Sequence, residues 1–231
     1  ETVLLNKFLS KKGICSRREA DRLVDEGKVM VNGVCAVMGQ KVSSADEIVV
    51  DGKKVSTKQV KPVLIAVNKP AGIVCTTARF EGEKNIVDMV KYPTRIYPIG
   101  RLDKESEGLI LMTNLGDLAN EISKASNSHE KEYVVTVDKP ITEEFIKQMS
   151  KGVKILDQVT RPCVVKKVNK HTFNIILTQG LNRQIRRMCE TLGFKVQKLK
   201  RVRIMGVHLD NLPIGNYRNL TNSELDSLKK N

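Results

Sequence analysis

Residues 99–114 read IGRLDKESEGLILMTN, a loop followed at once by a strand. Asp103 stands between Gly100 and Gly108, directly after Tyr97-Pro98-Ile99 and just ahead of the apolar run Leu109-Ile110-Leu111-Met112. A continuous apolar run of that length reads as a buried strand. A carboxylate on the loop at its edge can be aimed into a cleft by the rigid scaffold, which is where catalytic groups tend to sit. Taken alone, the same residue fits equally well as a turn cap or a surface partner of Arg101. Its surroundings have to decide.

Working outward, Val63-Leu64-Ile65-Ala66-Val67 is a second continuous apolar strand. Lys69-Pro70-Ala71-Gly72 then fits a type I turn, with Pro at i+1 and Gly at i+3. Further strands are expected at 96–98, 133–137 and 173–177, and helices at 115–124, 142–149 and 182–192, the last closed by Gly193. A final helix opens with the capping box Thr221-Asn222-Ser223-Glu224. Strands and helices interleave without a strict βαβ rhythm. The fold class is therefore α+β, a mixed, mainly antiparallel sheet with flanking helices.

The first 52 residues read as a separate module. Leu4, Leu5, Phe8 and Leu9 recur at helical spacing up to Gly13. Ser16-Arg17-Arg18-Glu19 is a capping box, and Ala20, Leu23 and Val24 form the apolar stripe of the helix it starts. Strands at 29–31 and 34–37 flank an Asn32-Gly33 turn, and residues 46–50 form the last strand. Residues 53–62 lack apolar periodicity and read as a linker. The larger domain then runs from 63 to 231.

Forty basic against 26 acidic residues leave a net charge of +14. The excess is local: residues 166–203 carry eleven basic groups and one acid, a net +10 over 38 residues, against +3 over the first 60. Such clustering is the electrostatic footprint of a polyanion partner, because neutralised phosphates release counterions. Five cysteines without a CxxC pair and three histidines make no zinc set, which points to reduced thiols in a cytoplasmic protein without metal. No apolar run nears the ~20 residues that span a bilayer, and residues 1–5 begin no signal peptide. The start at Glu1 is read as a few residues short of the native N-terminus. A monomer is expected.

The segment LNKFLSKKGICSRREADRLVDEGKVMVNG resembles the S4 RNA-binding domain. The resemblance implies that the second helix, with Arg17, Arg18 and Arg22, lies against an RNA backbone. In the larger domain, NKPAGIVCTT (68–77), IGRLDKESEGLILMTN (99–114), KEY (131–133) and GLNRQIRRM (180–188) occur in that order. Together they resemble the pseudouridine synthases of the RsuA/RluB/RluE/RluF branch, whose members also carry an N-terminal S4 domain, and they sit nearest to the RluF subgroup, which acts on large-subunit rRNA. The implied activity is isomerisation of a uridine in a 23S rRNA stem-loop, with no cofactor. The chain itself shows no P-loop, no dinucleotide-binding turn and no metal set.

By this resemblance Asp103 is the catalytic carboxylate; whether it acts as nucleophile or as base at the ribose stays open. Tyr133 is the pocket tyrosine on which a flipped uracil stacks, and Arg101 helps to hold the nucleotide out of its helix. Lys69 and Pro70 shape the cleft wall. A carboxylate in a closed pocket needs a cation to keep it ionised. Relatives often carry an arginine two positions before Arg183, where this chain has Leu181. The partner is then Arg183 or Arg186; Arg183, at the opening turn of its helix, is the choice, with Arg186 and Arg187 expected at phosphate. Two rivals remain: a non-catalytic S4-type RNA-binding or ribosome-assembly protein, and an enzyme of the same kind acting on tRNA.

Overall fold

Two turns in the left-handed region set the N-terminal sheet: Asn32-Gly33 at φ +52° and +80°, and Asp51-Gly52 at φ +49° and +78°. Asn-Gly and Asp-Gly are the pairs that adopt the type I′ turn with least strain, and its twist suits a two-residue hairpin. The computed structural model describes residues 1–229, which divide into two compact units. One holds residues 1–63 together with 92–96 and 113–116; the other holds 64–91, 97–112 and the chain from 117 onward.

In the first unit the sheet order is Val34–Cys35, Val29–Val31, Ile48–Val50, Lys53–Lys54. The last strand corrects the expected linker at its start. Asp51-Gly52 turns the chain back, Val49 pairs with Lys54, and Val55 is buried, so the module extends through Val55. Helices α1 (Leu5–Lys11) and α2 (Arg17–Asp25) pack Leu5, Leu9, Ala20 and Val24 onto Val29, Val31, Ile48 and Val50. Leu4 belongs to a short strand opposite Lys41, not to the helix. Ser16 Oγ accepts the Glu19 amide at 3.1 Å, as expected of a capping residue. The Glu19 carboxylate, by contrast, is taken by Arg22 instead of reaching back to the cap.

The second unit is built on a nine-stranded sheet. Its main path runs Val164–Lys167, Thr172–Leu177, Lys131–Val137, Val196–Ile204, Glu107–Thr113, Leu64–Lys69, Tyr217–Asn219. Most recorded pairs are antiparallel, but Glu107–Thr113 and Val196–Ile204 run parallel, with Gly108 opposite Arg201. The sheet is thus mixed, as expected. Its helices are α3 (Ile86–Val90), α4 (Gly116–Ala125), α5 (Glu143–Lys151), α6 (Gln184–Thr191) and α7 (Asn222–Lys229). One core packs Phe145 and Met149 of α5 and Ile185 and Met188 of α6 onto Val135, Val137, Phe173 and Ile175. Another packs Ile122 of α4 and Leu228 of α7 onto Leu109, Leu111 and Ile204. The box at α7 is complete: Thr221 Oγ1 accepts the Glu224 amide at 3.1 Å, and Glu224 Oε1 accepts the Thr221 amide at 2.9 Å. Among the described residues no helix is long and apolar enough to cross a membrane.

Candidate active site

The loop that carries Asp103 is held from below by a buried lysine. Lys69 ends the strand Leu64–Lys69 with no exposed surface, and its Nζ donates to the carbonyls of Pro70 at 2.9 Å, Ile73 at 2.8 Å and Lys104 at 3.2 Å. Gly72, at φ +90°, also donates its amide to Lys104 O at 2.7 Å. That left-handed glycine shifts the expected type I turn one residue along, since a positive φ suits i+2 of a type II turn. Burial pushes Lys69 down to about 8, with Cys75, Asp103, Glu105 and Glu107 pulling the other way. The expected cleft-wall residue is therefore a staple between two turns, one of which presents Asp103.

Two arginines approach the Asp103 carboxylate. Arg183, the N-cap of α6, sits at φ +49° and ψ +37°. For a residue with a long side chain this costs on the order of 1–3 kcal/mol, the kind of strain found where a side chain must be aimed. Its Nη1 lies 3.7 Å from Asp103 Oδ2 and 3.2 Å from Glu105 Oε2, so two carboxylates share it. Hydrogen bonds, including that from Arg183, hold Glu105 below the usual carboxylate range. Arg186, one turn further along α6, donates Nη2 to the buried Ser106 Oγ at 3.0 Å, and its Nε stands 4.0 Å from Asp103 Oδ2. The Arg186 side chain is 11% exposed, that of Arg183 37%.

Tyr133 lies on the strand Lys131–Val137, paired with Ile175 on one side and Arg201 on the other. With Arg101, Asp103, Arg183, Lys131 and Arg201 it lines a cavity of about 390 Å³. That is within the range of roughly 300–1,000 Å³ typical of small-ligand sites. Leu181, at the position where the expected pattern departs from its relatives, lines the same cavity and packs against the core. Arg101 is exposed at the cavity wall.

Three of the arginines expected at RNA are engaged within the fold. Arg186 is turned inward to Ser106 and Asp103. Arg187 folds back on its own loop, donating Nε to Asn182 O and Nη2 to Asn182 Oδ1, both at 2.9 Å. Arg22 is held between Glu19 and Glu26. Arg17 and Arg18 are exposed on α2. The sequence reading passed over Ser106, Glu105, Lys131 and Arg201. Lys131 stood in the quoted KEY segment, and Ser106 and Glu105 in the opening stretch. Arg201 has no local signal at all.

The profile of the family described as RNA pseudouridylate synthase matches residues 63–191, over half of the chain. The chain belongs to that family. The S4 domain profile matches residues 3–48 of this pseudouridine synthase. It is 55% identical over 231 residues to the dual-specificity RNA pseudouridine synthase RluF of Escherichia coli (strain K12), spanning 99% of this chain and 79% of that protein. It is 38% identical over 233 residues to the ribosomal large subunit pseudouridine synthase B of Bacillus subtilis (strain 168), spanning 97% and 95%. A solved structure titled as a crystal structure of pseudouridylate synthase superposes with a TM-score of 0.69 at 28% identity, over 98% of this chain and 99% of that one. This pseudouridine synthase is thus an isomerase acting on uridine in RNA, with an S4 domain ahead of its catalytic domain, and the reading as a non-catalytic binding protein falls.

Proposed function

We propose that this enzyme isomerises a uridine in a stem-loop of 23S rRNA, with Asp103 acting at the ribose, Tyr133 against the uracil, and Arg183 and Arg186 as the cations of Asp103. The carrying observation is the convergence of two guanidinium groups on one carboxylate, 3.7 and 4.0 Å from Oδ2, beside a cavity that Tyr133 also lines.

In the reaction the C1′–N1 bond breaks, the uracil turns, C5 bonds to C1′, and the proton lost from C5 is balanced by one gained at N1. Nothing is oxidised or reduced, so the chemistry calls for no redox cofactor, and the reading includes no metal. The ionised Asp103 serves as nucleophile at C1′ or as base at the ribose, and in either role needs its negative charge. Arg183 was the choice from sequence and is the nearer cation, though Glu105 shares it. Arg186 is the more buried, where a fixed charge acts through less solvent. The two together hold the carboxylate. Tyr133 stacks on the uracil, and its hydroxyl is placed to assist loss of the C5 proton, while Arg101 stands at the cavity wall against the extruded nucleotide.

Arg17 and Arg18 of the S4 domain hold the RNA backbone, as a monomer in the cytoplasm. The dual-specificity description of a relative 55% identical to this chain favours more than one RNA substrate, and tRNA is the second candidate. Mapping pseudouridines in 23S rRNA and tRNA from a strain lacking the gene, then restoring wild type or Asp103→Asn, tests the reading. The expected result is loss of one rRNA site and of a tRNA site, both restored by wild type alone. Restoration by Asp103→Asn, or an unchanged rRNA map, sinks it.

A further inference from the structure

At the end of the cavity formed by Lys131 and Arg201, three cations gather without a counter-ion. Lys131 and Arg201 line the cavity, and Arg161 holds the same loops from the exposed side. Lys131 Nζ donates to Ser126 O at 2.7 Å and Thr178 O at 3.2 Å. Arg161 Nη1 reaches Asn127 O at 3.3 Å and Thr178 Oγ1 at 3.5 Å. Arg201, 6% exposed, donates Nε to Leu109 O at 2.8 Å. All of these acceptors are neutral, and among the described residues none of the three cations meets a carboxylate.

Four other cations of this unit do. Arg203 is paired with Glu130 and Glu132, Arg218 with Glu224, Lys104 with Glu83 and Lys198 with Glu107. The two acids nearest to Lys131 in sequence are therefore spoken for by Arg203. His129, also close by, is buried and donates its Nε2–H to Leu228 O, 2.8 Å away. Lys131 is accordingly pushed down to about 8, first by burial and then by Arg201 and Arg161. Lys131 and Arg201 at the wall of the cavity, with Arg161 beside the same loops outside it, have only neutral oxygens as partners among the described residues, which leaves a positive field unanswered. A doubly or singly charged oxyanion is the ligand that answers it, since charge-assisted hydrogen bonds to phosphate oxygens are the strong ones.

We propose that Lys131, Arg161 and Arg201 form a phosphate site that grips the RNA backbone next to the uridine lying between Asp103 and Tyr133. The site rests on the reading that a uridine occupies this cavity. It assigns the two ends of the cavity different work: the Asp103 end does the chemistry, and the Lys131 end fixes the nucleotide by its backbone. Because a phosphate contact carries no base information, this end positions the strand without selecting its sequence.

The test uses uridine and uridine 3′,5′-bisphosphate as probes, titrated calorimetrically into the full-length protein. Each charge-assisted contact is expected to contribute enough to make the bisphosphate bind roughly tenfold tighter or more. Lys131→Met and Arg161→Met should each remove most of that advantage while uridine affinity stays within about twofold, and Lys131→Arg should restore it. Arg161 is exposed, so its variant carries the test if Lys131→Met does not fold. On RNA, the same variants should raise KM more than they lower kcat and flatten the salt dependence. An undiminished bisphosphate advantage in both Met variants overturns the site, as does a loss confined to kcat with the salt dependence intact. If the advantage behaves as stated but the wild-type enzyme forms no pseudouridine in 23S rRNA, the site stands and the reading of the substrate fails.

Discussion

Arg186 Nε lies 4.0 Å from Asp103 Oδ2 and, alone of that guanidinium, is buried without a hydrogen-bond partner among the described residues. Nη2 of the same group is fixed by Ser106 Oγ at 3.0 Å, so Nε is aimed, not adrift. A buried donor left unpaired costs roughly 1–3 kcal/mol. A movement of about 1 Å by the Asp103 carboxylate would bring it within hydrogen-bond length. The resting site thus holds a donor ready for the carboxylate, a relationship that the fold supports at its own cost in stability.

Arg186→Met is therefore expected to lower the single-turnover rate on saturating RNA by ~10²–10³, the usual scale for losing one fixed electrostatic partner of the reacting group. Arg183→Met should lose less in rate, because Glu105 divides that guanidinium and solvent reaches it. Rapid-quench measurement of pseudouridine formation by the two variants decides the order. If Arg183→Met suffers the greater loss, the outer arginine is the principal cation and Arg186 supports the loop through Ser106.

Gly108 is expected to tolerate no side chain. A Cβ there would lie 2.1 Å from Arg201 O and 2.8 Å from Arg201 N, at φ +106°. The backbone of one parallel strand passes directly over the other, and neither can yield without parting Leu109 O from Arg201 Nε. Gly108→Ala should cost ~3 kcal/mol or more, the upper range for strain at a special backbone conformation. Urea denaturation followed by circular dichroism measures it; a loss below ~1 kcal/mol would mean that the strands separate easily.

Lys69 gives a pH dependence with a definite sign. Its folded value of about 8 lies below the ordinary 10.5. Between those limits the unfolded chain keeps a proton that the folded chain has lost, so stability rises with pH there, by up to about 1.4 kcal/mol per pH unit for one group. Below pH 8 both states are protonated and the dependence vanishes. Lys131, also at about 8, adds in the same window. Lys69→Met should remove roughly half of the rise, read from urea midpoints between pH 8 and 10. An unchanged rise would assign it to other groups.

In the S4 domain Arg17 and Arg18 are expected to contact RNA more than Arg22 does. Arg22 is committed to Glu19 and Glu26; its pairing lowers the Glu19 carboxylate, and Lys28 and then Arg22 lower that of Glu26. Replacing Arg17 or Arg18 by Ala should reduce the slope of log affinity against log salt by ~0.7–0.9 each. Arg22→Ala should leave the slope nearly unchanged and lower helix stability slightly instead. Binding titrations at several salt concentrations separate the two behaviours, and an equal loss of slope for Arg22 would show that its ion pairs open on RNA.

Much of the architecture was readable in short windows, because it depends on neighbours along the chain. The Asn32-Gly33 hairpin, the Ser16 cap, the Thr221–Glu224 box and the apolar strand after Asp103 are all local, and their chemistry is complete within a few residues. The Asp51-Gly52 hairpin belongs to the same class; it was passed over in favour of a linker because the lysines after it carry no apolar period. The pairing of Arg22 was local as well, at i−3 and i+4, and a helix-face count would have found it.

What the sequence by itself determined is thus the helices and strands whose signals are local, and that one carboxylate loop, one tyrosine strand and one basic helix belong to a pseudouridine synthase; the strands Val164–Lys167, Val196–Ile204 and Tyr217–Asn219 and the helix Ile86–Val90 were not expected from it. Which cation meets which group was decided only by tertiary structure. Asp103 and Arg186 are far apart in the chain, and Lys131, Arg161 and Arg201 come from three separate segments. Lys131 and Arg201 meet through the antiparallel pairing of their strands, in which Tyr133 stands opposite Arg201, and Asp103 meets Arg183 and Arg186 where α6 reaches its loop. Electrostatic partners follow from distance and burial in three dimensions, and no spacing along the chain encodes either.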